Sequence, residues 1–206
     1  MFSEIKWRFN LAIISSILLI LLSAFQWSLV DIVTVFLMIP LFGAVWVFFL
    51  CCVISSLTCL LKLKDIGLKS AAPIGIHVIA FLLVTYVPFT MLWLKADFIL
   101  NKELRELVVA QVLNGELKPN VSHNSSLINL GEEHIGLSRG GNDIVVENHE
   151  GLTYILFFTF RGLLDNYSGY LYVPSGGLPE KFRDLNEDDT TEIKHIEDNW
   201  YLISHH

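Results

Sequence analysis

The chain has 206 residues, 53% of them hydrophobic, and a mean hydropathy of +0.53, which is too apolar for an ordinary soluble domain with a charged surface. Its formal charge of −7 is unevenly divided: residues 1–94 hold five Lys/Arg against three acids, a net of +2, and residues 95–206 hold nine against eighteen, a net of −9. An acidic second half repels phosphate backbones, so nucleic acid is not an expected partner.

Three uncharged apolar stretches fill the first part, at residues 11–27, 32–61 and 71–94. Each reaches the roughly 17 residues a helix needs to cross a hydrocarbon core, so the lipid bilayer is the first expected partner. The fold class expected is an α-helical membrane protein with three transmembrane helices (1–94) and a C-terminal α+β domain (95–206).

The cations beside short loops set the orientation. Lys6 and Arg8 precede the first stretch, and Lys62, Lys64 and Lys69 lie between the second and third, whereas Asp31 is the only charge between the first and second. This predicts a multi-pass protein of the cell membrane with a cytoplasmic N-terminus and the C-terminal domain outside. The first stretch also has the outline of a signal peptide, but Leu22 in Leu22-Ser23-Ala24 stands where a small side chain is wanted, so a retained span is expected.

The second stretch is long for a bilayer, and Pro40 with Gly43 offers a place to bend, since proline removes one helical hydrogen bond. Asp31 suits a helix cap. Cys51, Cys52 and Cys59, all within this stretch, read as small apolar side chains. His77 is the intramembrane polar group singled out in the third stretch, read as a neutral imidazole bonded to another helix or to water. No Asp, Glu, Lys or Arg lies inside the three stretches, which argues against an ion or proton pathway.

Residues 95–113 show a helical repeat, with Leu104, Leu107, Val108 and Gln111 at i, i+3, i+4 and i+7, and Asn114-Gly115 and Pro119 end it. This helix is expected to continue the third span outward and to cover one face of a small antiparallel sheet. Strands are expected at 127–130, 134–138, 143–147, 152–160, 169–173, 192–196 and 200–204. The segment 152–160 is apolar on both alternating faces and should be central. Asn148-His149-Glu150-Gly151 and Glu197-Asp198-Asn199 close hairpins, with Asn199 suited to a left-handed conformation.

Chemistry-bearing motifs are sparse. Asp184, Asn186 and Asp188 reproduce the first three ligand positions of a calcium loop, but Asp189 replaces the required Gly and His195 the bidentate Glu. Calcium is thus the one cofactor the sequence hints at, and an acidic solvated loop is the plainer reading. His123, His134, His149, His195, His205 and His206 lack the spacing of a zinc site. Ser138, Ser168 and Ser175 sit near glycines without forming a nucleophile elbow. No catalytic role is therefore expected.

What remains is surface. Arg161, Tyr167, Tyr170 and Tyr172 lie around one strand connection, and Tyr and Arg concentrate at protein interfaces because they join a large contact area to a polar tip. Core packing or headgroup contact explains the same residues. The expected function is that of a membrane-anchored, noncatalytic binding or accessory protein, presenting an acidic extracytoplasmic domain to a partner protein in the manner of an immunity protein. The alternative is a membrane-embedded accessory subunit of an enzyme or transport complex.

Overall fold

The computed structural model describes residues 2–61, 67–122, 124–162, 166–182 and 191–205. The chain divides into two compact units, Met1–Lys95 and Ala96–His206.

In the first unit, unbroken apolar sequence satisfies its backbone groups internally as helix. Helix α1 (Phe2–Leu60) is two helices joined across Thr34, whose backbone (φ 70°, ψ 157°) is non-helical. A short 3-10 turn (Gly67–Ala71) leads into α2 (Ala72–Tyr86), with a proline in its first turn, where the missing N–H costs nothing. Among the described residues, three segments are long and apolar enough to cross a membrane: Lys6–Val30, Phe36–Leu60 and Gly67–Tyr86.

The second and third stretches each contain a break in the helix. The excess length of the second is removed at its start, at Thr34, and Pro40 lies inside the following 25-residue segment. That segment is about 37 Å of helix, close to what a tilted span accommodates. The third stretch does not run unbroken into the outer helix. Pro88 has no N–H to donate and forces Val87 into an extended conformation (φ −81°, ψ 119°), so α2 ends there and α3 (Phe89–Leu113) starts anew.

Leu19, Phe49 and Ala80 form the core of the first unit, flanked by Val45, Trp46 and Val84. Polar links join the two halves of α1 to each other and the first half to the start of α3. Arg8 donates to the Ser55 carbonyl at 2.8 Å, and the Gln26 and Trp27 side chains both donate to Thr90 Oγ1 at 3.0 Å.

The second unit contains the rest of α3 and a six-stranded antiparallel sheet. Its strands are β1 (Leu127–Asn129), β2 (Asp143–His149), β3 (Leu152–Arg161), β4 (Tyr167–Tyr172), β5 (Thr191–Glu197) and β6 (Trp200–His205), in the order β1-β2-β3-β4-β6-β5. β3 is central, and Tyr154 to Thr159 are all buried, as expected of a strand covered on both faces.

Period two sorts the side chains. Val145, Tyr154, Leu156, Phe158, Leu171 and Ile203 form a core on one face, closed by Phe182 and Val121. The other face carries Phe157, Tyr170 and Trp200, and α3 covers it through Phe98, whose ring centroid lies 5.2 Å from Tyr170 and 5.6 Å from Trp200. Gly169 is required where β4 crosses β3: a Cβ there would sit 2.5 Å from the Phe157 carbonyl oxygen.

Three local expectations change. Residues 134–138 form no strand; the segment is a 3-10 turn (Glu132–His134) followed by turns, with Gly136 at φ 89°. In the β5–β6 hairpin the left-handed residue is Asp198 (φ 44°) rather than Asn199. The buried stripe of α3 is Asp97, Phe98, Arg105, Val108 and Val109, while Leu104 and Leu107 are exposed. An arginine thus holds the core-facing position that leucine periodicity assigned elsewhere.

Candidate functional site

That arginine is the centre of a buried polar cluster. Arg105 and Asp97, 1% and 8% exposed, form an ion pair at 2.5 Å, two turns apart on α3. Arg105 also donates to the Asp97 carbonyl and, from two nitrogens, to the Leu137 carbonyl, each at 3.2 Å. Its guanidinium lies 4.4 Å over the Tyr170 ring. A buried charge is stable only when its donors are used and a counter-charge is at hand, and both conditions hold here. Burial, followed by the negative charge of Asp97, pushes the Tyr170 hydroxyl well above the ordinary phenol range.

The four residues expected at an interface do not share one surface. Tyr170 is 1% exposed and belongs to the core under Arg105, which corrects its reading as a surface residue. Tyr172 is half-buried on the same face, with its ring 5.6 Å from Trp200. Tyr167 lies on the opposite face, stacked on His205 at 5.3 Å. Arg161 pairs in register with Tyr167, bonds Asp143 at 3.3 Å and is partly exposed. The two faces of a strand alternate, so a tyrosine run of this spacing is divided between them.

Tyr172 does line a groove of about 310 Å³ between α3 and the β5–β6 turn. Val109, Ala110 and Leu113 of α3 form one side, Tyr172 and Trp200 the other, and Glu106, Asp198 and Asn199 complete the lining. Lys102 stands beside it, hydrogen-bonded to Glu197 and 3.6 Å from carboxylate oxygens of both Glu106 and Asp198. The bond to Glu197 raises the Lys102 pKa, keeping the ammonium charged. The turn is tethered by a His195 Nε2 contact to the Asp198 carbonyl at 3.0 Å and by the Val173 N–H donating to the Asn199 carbonyl at 2.8 Å.

His77 is buried between helices. Its Nδ1 lies 2.9 Å from the Pro73 carbonyl, which can only accept, so Nδ1 carries the hydrogen; in the neutral ring Nε2 then accepts from Ser15 Oγ at 3.2 Å. Phe49 packs edge-on at 5.1 Å.

Asp184, Asn186 and Asp188 lie outside the described residues. Among the described residues no group of three or more His, Cys, Asp or Glu side chains is arranged to hold a metal ion. Ser138 donates to the Asp143 carbonyl and accepts from the Phe158 N–H at 2.9 Å, and Ser168 bonds Thr159 at 2.7 Å. Both hydroxyls hold strands together.

The sequence reading missed the groove. Glu106, Asp198 and Trp200 come from segments some ninety residues apart in the chain, and the only local hint was a turn rich in acids immediately before a tryptophan. No protein-family model, curated protein or solved structure matches the chain.

Proposed function

We propose that the protein is a membrane-anchored, noncatalytic binding protein. Its three apolar helices cross the bilayer, the N-terminus is cytoplasmic, and the acidic α+β domain outside meets a basic partner protein. The observation that carries the anchor is the outward-facing apolar surface of the first unit: Phe36, Ile39, Ile54 and Ile79 are 69%, 71%, 64% and 61% exposed. Lipid covers such side chains at no cost, whereas water does not.

The charge asymmetry supports the rest. Eighteen acids against nine bases beyond residue 94 produce a field that steers basic proteins and rejects acidic ones. Lys6 and Arg8 before the first span, with Asp31 the only charge between the first two, favour an inside N-terminus.

The test exchanges residues 1–95 for an unrelated three-span anchor and compares cross-linked complexes purified from native membranes in mild detergent. The partner is expected to be recovered with both chains. Recovery only with the native helices would instead assign the contact to the membrane region, as for a subunit of a larger membrane complex.

A further inference from the structure

The groove between α3 and the β5–β6 turn has an apolar interior and an acidic mouth. Glu106 and Asp198 are part of its lining, and with Glu197 they place three carboxylates around the single ammonium of Lys102. Among the described residues, two negative charges are therefore left without a local counter-charge. Asp198 is 80% exposed and Glu106 about half exposed, so both carboxylates can take a second cation from solvent.

An occupant must suit both parts of the groove. An anion is repelled at the mouth. A small inorganic cation finds its charge partner but leaves Val109, Ala110, Leu113 and the Trp200 side unfilled. A side chain with an aliphatic stem and a cationic head satisfies both, since the stem lies along the apolar wall while the head reaches the carboxylates. Tyr172 adds an aromatic ring of the kind that attracts ammonium and guanidinium groups. Lys102 shows that one ammonium head reaches these carboxylates. The tethers on the β5–β6 turn hold Asp198 in place before binding, which lowers the ordering cost.

We propose that this groove seats a lysine or arginine side chain of the basic partner protein. The assignment rests on the partner-binding reading given above and adds to it the site and the chemistry of the anchor residue.

The test uses the full chain in nanodiscs of zwitterionic phosphatidylcholine, so that basic probes do not bind the lipid. The probe is a blocked pentapeptide with one arginine between two leucines, set against a counterpart with norleucine in place of arginine. The arginine peptide is expected to bind about tenfold tighter than the norleucine peptide. Glu106→Gln with Asp198→Asn should remove most of that difference; Asn tolerates the left-handed backbone at 198, so the turn is kept. Ala110→Phe, at an exposed helix position, should fill the groove and abolish binding of both peptides. Glu132→Gln with Glu133→Gln, which removes two exposed carboxylates elsewhere, should change affinity by less than about twofold.

Equal binding of the two peptides overturns the assignment, as does undiminished binding to Ala110→Phe or an equal loss in the Glu132/Glu133 control. The partner reading fails or survives separately. A partner recovered on the outer domain that ignores Ala110→Phe contradicts the groove alone, and a groove selective for arginine without any recovered partner contradicts only the broader reading.

Discussion

Replacing Arg105 by methionine tests the polar cluster under α3 most severely. Methionine fills much of the same space but removes the close counter-charge of Asp97, 8% exposed, leaving it Arg139 at 3.6 Å, Asn101 at 3.1 Å and the Tyr170 hydroxyl, and it strips both Arg105 donors from the buried Leu137 carbonyl. Removing one member of a buried pair costs about 3–5 kcal/mol. That is a large share of the roughly 5–15 kcal/mol that stabilises a typical domain. In hydrogen-exchange mass spectrometry on the full chain in detergent, amides of β3 and β4 should exchange at least about 150-fold faster, the equivalent of 3 kcal/mol. Adding Asp97→Asn removes the stranded charge and should recover part of the loss. A change below about fivefold in Arg105→Met, equivalent to 1 kcal/mol, would refute the claim that Arg105, through the Leu137 carbonyl and the Tyr170 ring, fastens the helix to the sheet.

Tyr170 gives a pH signature. Burial and Asp97 raise its pKa above the ordinary value of 10.0, so above that pH an unfolded tyrosine ionises while the folded one stays protonated. Its contribution is complete below pH 10 and is lost as pH rises, by up to about 1.4 kcal/mol per unit; Tyr170→Phe should flatten this part of the stability profile between pH 9 and 11, and equal slopes would contradict the assignment. Gly169→Ala places a Cβ 2.5 Å from the Phe157 carbonyl oxygen and 2.6 Å from Leu156 Cδ1. A loss of about 1–3 kcal/mol by urea titration is expected, against no loss if β4 shifts freely. Ser15→Ala removes the hydroxyl facing His77 Nε2 and should cost about 1 kcal/mol of helix-bundle stability in detergent. A loss above about 3 kcal/mol would show that Ser15 supports more than one interhelical bond.

Hydropathy and strand periodicity were legible because each depends on neighbours in sequence. Residues 152–160 are apolar at every alternate position, and β3 is the central strand they imply. Pro88 was equally visible, yet a run of apolar residues on either side concealed the break it makes. Arg105 was not legible: in a helix of alternating leucines and charges, nothing local shows that Asp97, Leu137 and Tyr170 converge to satisfy a buried guanidinium. The groove was hidden for the same reason, since Glu106 and Asp198 approach only when α3 lies across the sheet.

The anchored, outward-facing topology is tested most directly by placing a cysteine at Ser175, an exposed turn residue of the sheet domain, and labelling intact cells with a membrane-impermeant maleimide. The unsubstituted chain, whose three cysteines all lie within the apolar segment Phe36–Leu60, serves as the blank. Labelling of Ser175→Cys in intact cells, at the level seen after permeabilisation, is the predicted result. Labelling only after permeabilisation would put the acidic domain in the cytoplasm and contradict the account.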